Sequence, residues 1–416
     1  MSKVIIAGGG IVGLSSALFL RKSGHDVTVF DSTDIVNNCS YGNAGYVCPG
    51  HFVPLAQPRI IQQGMKLMMD PLGPFYIKPR LDRGLIDWGL KFMKKANLRH
   101  VEESAIPLRD IAIISKAMYE YWKNELQMNF FYKDTGLLDI FLTDGGMEHG
   151  YHMEGRSKEL GLDVVMLNER QLMEMEPDSG LEAKGAIYFK CDAHVDPVTV
   201  MTGLLEELKK MGVEFKTREG VKDFEFSGNK ITKVITDKGR YETDAFVLSA
   251  GSWSRELAKK VGLNIPLVAG RGYSFIVEEE QLKFRHPAIL NEGKVAITPM
   301  SNNKIRIGGT MEITTTTAAP RYQRVQGILN NLKRFIPSTK VSFPKQEDIW
   351  FGYRPCSADG LPYLGRNKKY NNCIIATGHS MIGMSLGAGT GKLVSELVNE
   401  EKTSMDLTPF DPARFD

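Results

Sequence analysis

Three observations predict an α/β fold. The stretch Lys3 to Leu18 joins a short apolar run to a glycine turn and a helix, the passage Ala245 to Ser254 repeats that order, and residues 266–350 interrupt it with β-type stretches. Together they describe a Rossmann-like nucleotide-binding domain and a second domain built on a large mixed or antiparallel β-sheet.

The opening justifies the first part. Val4, Ile5, Ile6 and Ala7 are too few apolar residues for a helix and run into Gly8-x-Gly10-x-x-Gly13, after which Leu14, Ala17 and Leu18 recur at helical spacing. Gly8 permits the sharp turn, Gly10 lets the backbone approach a pyrophosphate, and Gly13 lets the helix pack close to the strand. The helix N-terminus, with Ile11 and Val12 in its first turn, turns N–H groups towards negative charge. A second strand, Asp26 to Phe30, ends at Asp31. That acid stands close to the expected distance of about 20 residues beyond the glycines, where it meets a ribose hydroxyl.

The totals narrow the class. The 416 residues are 42% hydrophobic and 24% charged with a net charge of +3, which fits a globular chain of two domains and gives no reason to expect nucleic acid as a partner. Five cysteines are scattered and form no C-x-x-C pair, so neither a disulfide framework nor a metal site is expected, and a reducing cytoplasm suits them. The apolar run from Val4 to Leu20 contains three consecutive glycines and two serines behind a single Lys, so it reads as structure rather than as a cleaved signal or a membrane span.

Residues 39–54 are rich in Gly, Pro and small polar residues and read as a loop that wraps a ligand, with Tyr46 and His51 as further candidates in it. Prolines at 71, 74 and 79 break the chain before a helix that carries Leu85, Ile86, Trp88, Leu90, Phe92 and Met93 beside Lys91, Lys94 and Lys95. This helix reads first as a surface element with solvated lysines, and it leaves open a contact with an anionic membrane or an electron-accepting partner. Helices follow at 104–127, 147–160 and 168–175, with strands at 135–142 and 164–167.

Asp196-Pro197 starts a helix that ends at Gly212 before a strand at 213–216, and Asp237-Lys238-Gly239 splits a hairpin of 231–236 and 241–243. The strand Ala245 to Leu248 then meets Ala250-Gly251, a second turn suited to a phosphate or ribose. Tyr273 to Val277, Val295 to Thr298 and Lys304 to Gly309 supply the second sheet, and Cys373 to His379 returns to a glycine-rich helix over 380–398. Within that helix Gly391-Lys392 imitates a phosphate-binding loop, but Leu386 stands where the first glycine belongs and Leu393 replaces the Ser or Thr, so nucleotide hydrolysis is rejected.

The motif Trp350-Phe351-Gly352-Tyr353-Arg354-Pro355, continuing to Asp359-Gly360-Leu361-Pro362 and Gly365, now joins the opening glycines, Ala250-Gly251 and Thr377-Gly378-His379. In this order they resemble the D-amino-acid oxidase superfamily of FAD enzymes over nearly the whole chain. Ser40 to Gly45, Phe75 to Arg80 and Arg271 to Ser274 are most similar to its bacterial D-amino-acid dehydrogenase branch.

The resemblance implies FAD, with the pyrophosphate over Gly8, Gly10, Ile11, Val12 and Gly13, the ribose on Asp31 and the adenine near Val221. It implies an isoalloxazine beside Ser40, Asn43, Ala44 and Gly45, with the pyrimidine end at Gly378, Met381, Ile382 and Gly383, while Ala250 and Gly251 stand as the second phosphate or ribose approach. A helix starting there turns its positive dipole end to flavin N1 and C2=O. Arg354 matches the arginine that grips the substrate carboxylate through two parallel hydrogen bonds. Tyr273 is either a substrate-pocket hydroxyl or a sheet-core aromatic, and His379 either a pocket residue or a structural donor, since hydride transfer needs no protein base.

Two departures matter. Gly352 stands where sarcosine-oxidase-like relatives carry a flavin-linking Cys, with Cys356 offset, so the FAD is expected to be non-covalent; and Ala296 to Pro299 lacks the Tyr of glycine-oxidase-like relatives, which implies a roomier pocket.

The implied division assigns residues 1–64, 190–265 and 346–416 to FAD binding and 65–189 and 266–345 to substrate binding. The implied activity is a FAD-dependent dehydrogenase that oxidises D-amino acids, D-proline or hydroxy-D-proline among them, to imines and 2-oxo acids by hydride transfer to flavin N5. Electrons would pass to a quinone or other carrier, in the cytoplasm or peripherally on the inner membrane. An amino-acid or glycine-type oxidase producing hydrogen peroxide, a non-catalytic flavin-binding module and an NAD-linked dehydrogenase stand as alternatives.

Overall fold

The computed structural model describes residues 1–58, 70 and 72–416. Two sheets organise it. The first has six strands in the spatial order Glu214–Lys216, Asp26–Phe30, Lys3–Ala7, Ala245–Leu248, Cys373–Thr377 and Tyr363–Arg366, all parallel except the last. Its central strands are buried on both faces, which is why Val4–Ala7 and Ala245–Leu248 read as unbroken apolar runs.

The helix Ile11–Lys22 leaves the first strand through Gly8, whose φ of +114° a side chain rarely adopts. A Cβ on Gly13 would lie 1.9 Å from the Gly8 carbonyl oxygen, so the helix can approach the strand only without one. The final helix, Gly383–Val398, crosses the first in the same way, because a Cβ on Gly391 would lie 2.5 Å from Ser15 and one on Gly387 2.8 Å from Ile11. The glycines of the apparent phosphate loop therefore sit inside a helix and serve close helix packing.

The second sheet has nine strands. Trp350–Ser357, Leu267–Glu278, Lys304–Thr314, Val295–Pro299, Ala288–Leu290, Leu137–Phe141, Gly185–Phe189 and Val164–Asn168 follow in order, with Phe75–Ile77 pairing beside Lys304–Thr314. It is mixed, antiparallel apart from the pairs of Ala288–Leu290 with Leu137–Phe141 and of Phe75–Ile77 with Lys304–Thr314. Its inner face meets an apolar cluster that includes Phe275, Ile297, Ile307, Ile328 and Leu332. A small sheet of Tyr46–Val47, Ala193–Val195 and Tyr132–Lys133 pins the loop after residue 39.

Several boundaries differ from expectation for local reasons. The long helix runs Leu98–Asn124 rather than 104–127, because the Asn97 side chain caps it at His100 N and Pro107 is carried inside without ending it. Thr143 caps the next helix, which begins at Asp144 rather than 147. The helix Arg324–Phe335 lies within the stretch read as β-type and buries Val325, Ile328, Leu329 and Leu332 against the second sheet. The strand Asp223–Ser227 adds a third member to the expected hairpin. Proline 71 and the boundary expected between 64 and 65 lie outside the described residues.

Candidate active site

One cavity of about 1900 Å³ runs from the carboxyl ends of the parallel strands to the second sheet. Small-molecule pockets are usually roughly 300–1,000 Å³, so this one holds a large ligand and a substrate together. Its first wall is the glycine turn. Gly8, Gly10, Ile11, Val12, Asp31, Val221, Ala250 and Gly251 line it, whereas Gly13 is packed behind against Gly8. The Asp31 carboxylate accepts from Gly9 N at 2.7 Å on one oxygen and from Thr33 N and Oγ1 at 2.7 Å on the other, which fixes it and leaves lone pairs for hydroxyl donors.

The loop Ser40 to Ala44 forms the second wall. Ser40 Oγ accepts from Ile11 N at 3.0 Å, and Arg306 Nη1 donates to the carbonyl oxygens of Tyr41 at 2.7 Å and Asn43 at 2.6 Å. Burial draws the Arg306 guanidinium down to about 10, and these carbonyls are what satisfy it. Gly45 does not line the cavity; it is a turn residue at φ +84° whose carbonyl accepts from Val195 N at 2.8 Å. Trp350 lies against this loop, since a Cβ on Gly42 would meet its ring at 2.0 Å.

The third wall is the edge of the second sheet. Arg354 faces Gly270 in the antiparallel ladder, so its side chain shares a sheet face with Gly270 and Gly272. A Cβ on Gly272 would lie 2.3 Å from the guanidinium, which therefore rests on bare backbone. Nη1 donates to Thr310 O at 2.6 Å, and among the described residues no carboxylate lies within ion-pair distance. Desolvation lowers its affinity for the proton, with Cys356 opposing weakly, yet a guanidinium keeps its charge. A half-buried cation on a cavity wall without an anion calls for one from outside.

Tyr273 is placed differently from the reading as a pocket hydroxyl. It faces Phe351 in the same ladder and so points to the opposite side of the sheet from Arg354. Its hydroxyl lies 3.3 Å from Glu312 Oε2 and accepts from Arg321 N at 2.7 Å, and burial pushes its pKa up to about 12. It touches the cavity wall, but its hydroxyl does not converge with Arg354.

The turn Thr377 to Gly383 closes the cavity. Gly378 is at φ +80° and Ser380 at φ +49°, and the final helix starts only at Gly383 rather than at 380 because this turn precedes it. His379 is 3% exposed and its Nε2 lies 2.9 Å from Thr390 Oγ1. Since Thr390 donates to Leu386 O at 2.9 Å, His379 Nε2 carries the hydrogen, and desolvation lowers the imidazole pKa to about 3. It is a neutral structural donor. Ser380 N donates to Pro355 O at 3.0 Å, and Cys356 pairs with His379, so the turn and the Arg354 strand are one rigid unit.

The residues present fit a dinucleotide with an electron-accepting ring. The helices at Ile11 and Gly383 have no cap from their own N-cap residues and no acid in their first turns; Ser40 Oγ takes Ile11 N, and the first turns of both helices border the one cavity. Ser380 Oγ is buried there without a partner, and Met381 and Ile382 complete that rim. Sequence reasoning missed Thr310, whose carbonyl is aimed at Arg354 from a left-handed conformation at φ +61°, and also Asp139 and Asp192. No local signal marks these three, because each meets its partners across residues distant in the chain.

A profile described as "FAD dependent oxidoreductase" matches residues 3–397. The chain is 31% identical over 396 residues to the D-amino acid dehydrogenase of Helicobacter pylori, covering 95% of this chain and 94% of that one. It is 28% identical over 417 residues to the D-amino-acid oxidase of Bradyrhizobium diazoefficiens, covering 99% and 98%. Among solved structures it is similar to glycine oxidase from Geobacillus kaustophilus, with a TM-score of 0.78, 22% identity and 100% of both chains covered. It is likewise similar to L-proline dehydrogenase from P. horikoshii, with a TM-score of 0.78, 21% identity and 100% and 97% covered; these two likenesses are of fold.

Proposed function

The chain belongs to the family of FAD-dependent oxidoreductases, and on that premise we propose that it is a dehydrogenase that oxidises the Cα–N bond of a D-amino acid. The observation that carries this reading is Arg354, a half-buried guanidinium without a carboxylate partner among the described residues, on the wall of the cavity that the first turns of two helices also border. Arg354 binds the substrate carboxylate and fixes which face of Cα is presented.

Gly8, Gly10, Ile11 and Val12 hold the pyrophosphate, Asp31 the ribose, and Val221 flanks the adenine. Ser40, Asn43 and Ala44 would flank the ring system, Ala250 and Gly251 would meet a phosphate or ribose, and Gly378, Met381, Ile382 and Gly383 would hold the pyrimidine end. Bound FAD supplies a two-electron hydride acceptor. The chain's part is to orient the amino acid, to favour negative charge at the ring through the Gly383 helix end, and to hold His379 neutral and out of the proton chemistry. The imine released hydrolyses in water to a 2-oxo acid and ammonia, or stays cyclic where the substrate is a proline. A Cβ on Gly352 would lie 2.1 Å from the Trp350 ring, so a flavin-linking side chain has no room there, which supports non-covalent FAD.

The separate pairing of the two sheets supports a division into a FAD-binding and a substrate-binding part, with Arg354 reaching the cavity from an edge strand of the larger sheet. Five free thiols suit a reducing compartment. No helix among the described residues is long and apolar enough to cross a membrane. The helix Arg83–Lys95 instead exposes Ile86, Leu90 and Met93 beside Lys94, close to Leu85 and Leu98 at the cavity rim, which supports peripheral contact with an anionic membrane and transfer of electrons to a quinone.

The test is anaerobic mixing of the yellow protein with D- and L-amino acids, both prolines included. Bleaching of the flavin by D-enantiomers alone, with slow reoxidation by air, is the expected result. Bleaching only by L-enantiomers, or by none, overturns the substrate assignment, and rapid reoxidation by air makes the protein an oxidase.

A further inference from the structure

Where the wrapping loop leaves the ring-binding segment, the chain reads Cys48-Pro49-Gly50-His51, and the strand pairing brings Asp192 to it from the far side of the fold. Both ring nitrogens of His51, Oδ2 of Asp192 and Oδ1 of Asp139 are buried without hydrogen-bond partners. One ligand atom each of Cys48, His51 and Asp192 lies within 4.8 Å of the other two. His51 Nδ1 is 3.4 Å from Asp192 Oδ2, and on the other side of the ring Nε2 is 3.8 Å from Asp139 Oδ1. The Asp192 side chain is fully buried, and its second oxygen is fixed by Gly50 N at 2.7 Å, so the free oxygen is held in place facing His51.

We propose that Cys48, His51 and Asp192 form a binding site for a divalent metal ion of the zinc class, with Asp139 orienting the imidazole. The donor set of one thiolate, one imidazole and one carboxylate is what a borderline-soft ion takes, and small rotamer changes bring the atoms to about 2.0–2.3 Å from a shared ion. Three protein ligands leave a fourth position, and Cys48, His51 and Asp139 line the main cavity, so that position opens to a small molecule within it. Metal-bound histidines donate their remaining N–H to a carboxylate, the place Asp139 occupies.

Without an ion, the unpartnered atoms could be reconciled only as an imidazolium between two carboxylates. In that arrangement the Cys48 thiol keeps its hydrogen bond to Ser385 Oγ at 3.6 Å and gives nothing to His51, so the thiol separates the two accounts. The site also shows why linear spacing gave no metal signal: its third ligand lies far along the chain from the Cys-x-x-His pair. Binding replaces the Cys48 S–H proton by the ion and so releases a proton to solvent.

The proposal goes beyond amine oxidation, and its test reads metal rather than turnover, so either can fail alone. The FAD-loaded protein is dialysed against chelator and then against Zn2+, and bound metal is counted by atomic emission. One ion per chain is expected, with proton release in an indicator dye. Cys48→Ser should weaken binding at least tenfold with flavin absorbance unchanged, and Asp139→Asn by about 10–100-fold. Asp192→Asn tests the carboxylate; if it loses flavin through misfolding, the near-isosteric Cys48→Ser decides. No stoichiometric Zn2+ in the wild type, or equal affinity in Cys48→Ser, overturns the site and leaves the imidazolium arrangement.

Discussion

Arg354 Nη1 donates to the carbonyl oxygen of Thr310 at 2.6 Å, and Thr310 holds that carbonyl in place from φ +61°, a conformation costly for a β-branched residue. Strain at that position is compensated by aiming a half-buried guanidinium. Arg354→Lys keeps the charge and loses the planar fork, whereas Arg354→Ala loses both. We expect kcat/KM to fall by about 10²-fold or more in each, in line with about 2–5 kcal/mol for truncating one partner of a buried charged pair, with FAD content unchanged. An unchanged kcat/KM in Arg354→Ala would remove the carboxylate role.

Gly10 offers a test of where the ligand lies. Its φ is ordinary at −77°, and a Cβ there would meet nothing closer than Ser40 Oγ at 3.4 Å, so Gly10→Ala should fold like the wild type. Gly8→Ala, by contrast, places a methyl group 2.4 Å from Ser249 O at φ +114° and should destabilise the chain itself. The expected outcome is a folded, colourless Gly10→Ala protein by absorbance and circular dichroism. A yellow Gly10→Ala variant would place the pyrophosphate elsewhere.

These two glycines also show which parts of the molecule could be read from the sequence. Gly8, Gly13 and Asp31 are specified by a turn, a close approach and a strand end, all local, and so their spacing carried them. Arg354 could be identified from its flanking motif, but its partner Thr310 could not, since a 44-residue separation is closed only by sheet register. Tyr273 was ambiguous because alternation along a strand gives two faces without saying which one borders the cavity. The helix Arg324–Phe335 was hidden between β-rich stretches, although its buried positions recur at helical spacing. The sequence leaves His379 as either a pocket residue or a structural donor; only the packing shows its ring buried and bonded to Thr390.

Acid should destabilise the protein through two buried histidines. Desolvation lowers both His379 and His194 from 6.5 to about 3, with Lys133 adding to the effect at His194. In the unfolded chain each takes up a proton near 6.5 while the folded chain does not, so the unfolded state binds more protons. Stability is therefore full above about pH 6.5 and is lost as pH falls towards 3, by up to about 1.4 kcal/mol per pH unit for each group. Melting temperatures between pH 7 and 5 should fall, and His379→Gln should flatten that slope. An unchanged slope in the variant would mean that His379 titrates normally.

The last prediction concerns the outward face of the helix Arg83–Lys95. Of its large apolar residues only Trp88 and Phe92 are buried, with Trp88 Nε1 donating to Cys356 O at 3.0 Å. Ile86, Leu90 and Met93 are each more than half exposed, and Leu98 at the start of the following helix is 74% exposed. Exposed apolar side chains beside Arg83, Lys94 and Arg99 suit the boundary of an anionic bilayer, where apolar burial and charge attraction add. Vesicles containing anionic lipid should sediment the wild-type protein, with binding weakened by salt as the attraction is screened. Ile86→Ser with Leu90→Ser removes two exposed apolar groups and no fully buried contact, so flavin content and turnover with a soluble dye should persist while sedimentation is lost. Equal sedimentation of the double variant, or binding to neutral vesicles alone, would leave this face without a membrane role and place electron transfer to the carrier elsewhere on the surface.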